Sequence, residues 1–171
     1  LQKHLTDVTE SYTGQLELAE HSVQGQLNNL VDSSAVYYRC GALKKSHLLE
    51  IWINHLFANA SGLEIESISI SKGKLKAKVG HLKPVNQSEA LQHLNELANL
   101  FTGSVRQPLC FPPETAFSYV ESMQEVTSIE DAKAIAEGQW DKGGFPESND
   151  PYWSRLFSIP RDLDSKFVES A

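Results

Sequence analysis

The sequence predicts a mixed α/β domain, a central mixed sheet flanked by helices. Three observations carry this: short β-type segments fill the first forty residues, a long helical stripe follows, and strand-like segments return before a largely helical second half.

Segment 13–20 alternates Leu16 and Leu18 with polar neighbours, the period of a half-buried strand. Segment 24–31 places Leu27, Leu30 and Val31 after Gly25, and segment 35–40 (Ala35-Val36-Tyr37-Tyr38-Arg39-Cys40) is rich in residues that suit a pleated surface. Asp32-Ser33-Ser34 is a turn signal, so 24–40 reads as a hairpin and the three segments as an antiparallel meander. Helix comes next, with Ser46 as N-cap and Glu50 placing negative charge in the early turns. Leu48, Ile51, Trp52, His55, Leu56 and Asn59 recur at helical spacing. Leu49, Ile53 and Phe57 widen the apolar surface enough to bury the helix on two sides, up to a stop at Gly62.

A second strand pair follows: Ile65 to Ile70, a turn at Lys72-Gly73-Lys74, then Leu75–Val79. Asn86 with Glu89 resembles a capping box opening a helix that carries Leu91, Leu94, Leu97, Ala98 and Phe101 and ends before Gly103. Pro108 to Pro113 forms a rigid connector. Shorter helices are expected at 114–126, at 128–137 with Ser128 and Asp131 at its start, and at 150–158, where Asp150 caps and Pro151 occupies the first helical position. Gly143-Gly144 and Pro146 keep 139–149 as a loop. Residues 1–171 read as one domain, with 139–171 as an irregular C-terminal loop and short helices packed on it.

At 171 residues, 40% hydrophobic, the chain can bury a core. Its start at Leu1 suggests a fragment of a longer chain or a processed product. No signal-peptide pattern opens it, and no stretch approaches the roughly 18 apolar residues of a membrane helix, so a cytoplasmic protein without membrane contact is expected. Two cysteines, Cys40 and Cys110, are too few and too far apart for a disulfide framework or a zinc site, and read as reduced apolar residues. The net charge of −7, from 22 acidic and 15 basic residues, lacks the basic footprint of an isolated nucleic-acid-binding module; any DNA contact must be local or depend on an assembly.

No phosphate-binding loop, dinucleotide fingerprint, nucleophile elbow or H-E-x-x-H motif occurs. His55, on the buried face of the long helix, reads as a hydrogen-bonded core histidine. The hairpin at 24–41 is more suggestive. Metal-dependent nucleases of the PD-(D/E)XK type carry an Asp at the end of one such strand and an acid-x-Lys on the next. Residues i and i+2 share a strand face, so the acid can hold Mg²⁺ while the Lys steers the attacking water. Gly25-Gln26-Leu27-Asn28 looks like their Gly-x-Ile-Asp with Asn28 in place of the Asp. The next strand offers Tyr38-Arg39-Cys40 or Arg39-Cys40-Gly41, and neither is an acid-x-Lys. Asn is a neutral, weaker ligand for a hard cation, and Tyr and Cys are poor magnesium ligands, so a nuclease-like fold without its metal, and with no cofactor, is expected. Glu17 is either a leftover acid or a surface strand glutamate. Lys72, Lys74, Lys76 and Lys78 alternate with Leu75, Ala77 and Val79, with Lys83 just beyond. They are DNA-binding candidates if they meet phosphates; the competing reading is a solvated strand face whose lysines block edge pairing. No aromatic interleaves them in sequence. Trp140, Tyr152 and Trp153 anchor the C-terminal segment or offer a partner-docking surface.

Further blocks carry a family resemblance. Tyr37-Tyr38-Arg39 with Leu43-Lys44, then Leu49, Trp52, His55 and Leu56 with Ala60-Ser61-Gly62, resemble the strand and helix of RecC C-terminal regions. Glu89-Ala90-Leu91 with Leu94 and Leu97, Pro108-Leu109 with Phe111 and Pro113, and Asn149-Asp150-Pro151-Tyr152-Trp153 with Leu156-Phe157 follow in the family's order, over roughly residues 12–168. Gly143-Gly144-Phe145-Pro146-Glu147 departs from the family's run. The resemblance implies a non-catalytic domain of PD-(D/E)XK fold within RecBCD, partnered by RecB and RecD. It would handle a double-stranded DNA end and its separated strands.

Overall fold

The computed structural model describes residues 10–109, 112–125, 128–142 and 146–156. It divides into two compact units, one up to Thr102 and one from Gly103 onward, a boundary the sequence reading does not place. The architecture is mixed α/β, as predicted.

Among the described residues the first unit carries a five-stranded sheet: β1 (Glu10–Glu17), β2 (Ser22–Val31), β3 (Ser34–Tyr38), β4 (Glu66–Lys72) and β5 (Ala77–Leu82), in that spatial order. The expected meander is present, with β1–β2 and β2–β3 antiparallel and Asp32 turning the hairpin at φ 53°. β3 and β4 are parallel, Ser34 opposite Glu66 and Tyr38 opposite Ile70. A parallel pair needs a crossover, and α1 (Lys45–Ala60) supplies it. β4 and β5 then close an antiparallel hairpin.

One face of this sheet packs on α1 and on α2 (Gln87–Arg106). Leu27 and Ala35, flanked by Tyr12, Leu16, Val23, Leu30 and Tyr37, meet Leu56, Phe57, Ala60, Ala90 and Leu94. Gly14 and Gly25 stand opposite each other beneath this contact. A Cβ at Gly25 would lie 2.9 Å from the Phe57 ring, so the bare backbone is what lets α1 approach β2. The Tyr12 ring meets Phe57 at 6.3 Å between centroids. The predicted stripe on α1 is realised at Ile51, His55, Leu56 and Asn59, and residues 55–60 are buried all round, although Ile53 is exposed.

Three local expectations give way. Lys44, not Ser46, precedes the first turn of α1; its backbone N–H donates to His47 Nδ1 at 3.0 Å, and Glu50 lies beyond the first turn. α2 runs through Gly103 to Arg106, since a lone glycine inside a strongly amphipathic helix costs only about 1 kcal/mol. Asn86 does cap it, Oδ1 accepting from Ser88 N at 2.9 Å. The third correction, the start of β5 at Ala77 rather than Leu75, reshapes the lysine stripe.

The second unit pairs α3 (Pro113–Met123) with α4 (Ile129–Trp140), burying Ala116, Tyr119, Ala132, Ala136 and Trp140. Ser128 caps α4 by accepting from Asp131 N at 3.1 Å, as expected. A 3-10 turn at Glu147–Asn149 leads into α5 (Pro151–Leu156), whose first turn is capped by Asp150 Oδ1 from Tyr152 N at 2.8 Å. The Glu147 carboxylate accepts from the backbone N–H of Glu114 and Thr115, both at 2.9 Å, and from the Thr115 hydroxyl at 2.8 Å. It thereby satisfies the open amides at the start of α3. Cys110 and Phe111 of the predicted connector, Gly143–Phe145 of the predicted loop, and the end of the last predicted helix lie outside the described residues.

Candidate nucleic-acid interface

The sheet's two faces can be read from its register, because paired residues share a face. Tyr38, Ile70 and Val79 form one row across three strands, on the face away from α1, and Lys72 with Ala77 forms the next. The parallel pairing runs on past Tyr38: Arg39 N donates to the Ile70 carbonyl at 2.9 Å and Lys72 N to the Gly41 carbonyl at 3.1 Å. This holds Tyr38, Arg39 and Cys40 against the end of β4. Beyond it, residues 73–76 form the hairpin loop, closed by Gly73 N donating to the Lys76 carbonyl at 3.1 Å.

Together these segments line an open depression of about 450 Å³, formed by Tyr38–Cys40 and Ile70–Ala77. Its charged members are Arg39, Lys72, Lys74 and Lys76. Among the described residues, no carboxylate lines it or lies within salt-bridge reach of those cations. The opposite end of the same sheet face differs: Val31, Ser34 and Ile68 are buried, and the Glu66 carboxylate accepts from Ser34 Oγ at 3.0 Å and lies 3.8 Å from His81 Nδ1.

The predicted lysine stripe is therefore corrected. Lys74 and Lys76 sit in the loop, and Lys72 and Lys78 fall on opposite faces, since Lys78 pairs with Ser71 and Lys72 with Ala77. Leu75, expected to face inward, is 100% exposed, and Ala77 and Val79 are exposed too. Lys83 is exposed beyond β5. What the sequence does not reveal is the aromatic partner. Tyr38, 73% exposed, joins the lysines across the parallel pairing, from 34 positions earlier in the chain. Only a reading of strand, helix and strand as a parallel unit could have placed it there.

On the helix-facing side His55, 1% exposed, is a satisfied core residue as expected. Its Nε2 contacts the Lys83 carbonyl at 3.0 Å and its Nδ1 contacts Ser67 Oγ at 3.0 Å. A carbonyl can only accept, so Nε2 carries the proton and Nδ1 accepts from the hydroxyl. Burial pushes the ring below the ordinary histidine value, with the Lys83 carbonyl pulling the other way. Burial likewise raises the Tyr37 phenol, opposed by the neighbouring amides of Asn29 and Asn54.

The model of the family described as the RecC C-terminal domain matches residues 2–124, most of the chain. The chain belongs to this family. No curated protein matches it. Membership in the RecC C-terminal family gives the chain a role in RecBCD, an exodeoxyribonuclease–helicase complex of DNA repair that includes other subunits. The resemblance read from Tyr37–Arg39 and the α1 motif is thus borne out at the level of the family.

Within this RecC C-terminal fold the residues that the sequence reading compares with a nuclease motif separate. Tyr38 and Cys40 line the depression, Cys40 as an exposed free thiol, while Asn28 is exposed on β2 and is not part of the lining. Glu17 is exposed on β1, accepting from Gln15 Nε2 at 2.8 Å and Ser22 Oγ at 3.1 Å, the setting of a surface strand glutamate. Trp140 is withdrawn from the docking candidates, because it is 3% exposed and forms part of the core of the second unit. Tyr152, 79% exposed on α5, and Trp153, half-buried, remain. Among the described residues no helix is long and apolar enough to cross a membrane.

Proposed function

We propose that the chain is a non-catalytic domain of nuclease-like PD-(D/E)XK fold that guides DNA and docks subunits in RecBCD. The observation that carries this is the depression at the ends of β3 and β4. Where a nuclease of that type keeps an acid-x-Lys on the strand, Tyr38-Arg39-Cys40 stands, joined by Lys72, Lys74 and Lys76. A site built from cations attracts the phosphates of a nucleic acid and repels the Mg²⁺ that hydrolysis requires. The order of meander, crossover helix and parallel strand supports the nuclease-like reading. Asn28 is neutral where the sequence motif of those nucleases has its Asp, and it lies outside the lining of the depression.

RecB and RecD are the expected partners, with the DNA end and its separated strands as cargo, and no metal or cofactor is required. Exposed Tyr152 and half-buried Trp153 are the residues we assign to docking. Two assays test the proposal. The tagged chain should retain RecB or RecD in a pull-down repeated across salt, and it should leave labelled DNA intact in Mg²⁺. Robust Mg²⁺-dependent cleavage abolished by Asn28→Ala would sink the non-catalytic reading. Retention of neither subunit would remove the docking role.

A further inference from the structure

We infer that the depression takes single-stranded nucleic acid, stacking an unpaired base on Tyr38 while Arg39, Lys72, Lys74 and Lys76 hold the flanking phosphates. The inference rests on the DNA-handling reading above and narrows it to one form of the ligand.

The chain carries a net −7, yet the charged side chains lining this depression are cations. Such segregation points to a polyanion, whose binding releases counterions and weakens with salt. Charge alone would serve duplex and single strand equally. The aromatic decides between them. Tyr38 lies in the same row as Ile70 and Val79, one residue pair from Lys72, and its ring is open to solvent on the face away from α1. A large aromatic left exposed beside four cations gains little where it stands. Against an unpaired base it gains a stacking partner. Paired bases are stacked on one another and offer no free face to a side chain on the sheet, so a duplex could use the cations and not the ring. Leu75, fully exposed at the hairpin loop, adds apolar surface of the kind that an unstacked base, and not a phosphate backbone, would cover. Because every base has an aromatic face, the site should be tolerant of sequence.

The test uses the 171-residue chain and fluorescence anisotropy with three probes: a labelled oligothymidylate of about 12 nucleotides, a hairpin duplex of similar charge, and inorganic polyphosphate as competitor. The oligothymidylate should bind more tightly than the duplex, and Tyr38→Ala should weaken it about tenfold while Tyr38→Phe leaves it unchanged. Polyphosphate should compete equally well against wild type and Tyr38→Phe, and Tyr38→Ala should not alter its own affinity. Lys72→Ala, Lys74→Ala and Lys76→Ala together should weaken all three probes and reduce the salt slope by about two, from roughly 0.7 for each phosphate no longer neutralised. Circular dichroism of each variant guards against unfolding. In the assembled complex, a strand carrying 5-iododeoxyuridine should crosslink at Tyr38 under long-wave ultraviolet light.

Duplex binding as tight as single-strand binding, with Tyr38→Ala silent and no crosslink at Tyr38, overturns the inference while leaving DNA guidance intact. A folded chain that binds none of the probes and gives no crosslink overturns both the inference and the guidance reading.

Discussion

The two faces of the sheet solve opposite problems. On the side toward α1, each polar group of the His55 ring has a partner: Ser67 Oγ on one nitrogen and the Lys83 carbonyl on the other. Asn59 Nδ2 donates to the carbonyls of His55 at 2.9 Å and Ile65 at 3.1 Å, tying the end of α1 to the entry of β4. On the far side, at the ends of β3 and β4, Tyr38, Lys72 and Lys76 are left to solvent beside a fully exposed Leu75. The first arrangement commits its side chains to holding α1 against β4 and the chain that leaves β5. The second leaves them uncommitted, which is what a surface that must receive a ligand requires. Polar residues on a sheet thus report stability or function according to whether their partners are internal.

Stability measurements can break that contrast. The largest effect is expected at His55→Ala, which opens a cavity and strands both Ser67 and the Lys83 carbonyl; urea unfolding should show a loss of about 3 kcal/mol. Gly25→Val drives a side chain into the Phe57 ring and should cost about 2 kcal/mol by the same measurement. A smaller, pH-dependent effect belongs to His55 itself. The folded ring is held below the ordinary histidine value near 6.5, so in acid the unfolded chain binds a proton that the fold refuses. That part of the stability is present above about pH 6.5 and is lost as pH falls toward the folded value. His55→Gln should flatten this acid limb of a stability–pH curve. The smallest effect is expected across the sheet, where Tyr38→Ala and Lys72→Ala should each move stability by less than about 0.5 kcal/mol. A loss at Tyr38 comparable to that at His55 would mean that the open face is structural.

How much of this could be read from the residues follows from range. The meander was legible because Asp32-Ser33-Ser34 and the alternation of 13–20 are local signals, and the α1 stripe because its period repeats along the helix. The core role of His55 followed from its place in that stripe. The lysine stripe misled for a physical reason. Alternation of Lys with Leu, Ala and Val satisfies the period of a strand even where residues 73–76 are consumed by a hairpin loop. The N-cap at Lys44 was hidden because a histidine, rather than a glutamate, reaches back to the cap. Tyr38 beside Lys72 was out of reach of any local signal, because the crossover that joins them is a tertiary fact with no trace in either segment alone.

That crossover also sets the order in which the site can come into being. The meander and the β4–β5 hairpin join neighbours along the chain and can form early. The β3–β4 ladder must close a loop from Tyr38 to Glu66 that holds all of α1, and such non-local pairings are slow to nucleate. Half of the depression arrives on each side of that closure. Capture of a single strand would then serve as a clock for the last strand pairing: a refolding chain should regain its helical signal before it regains ligand.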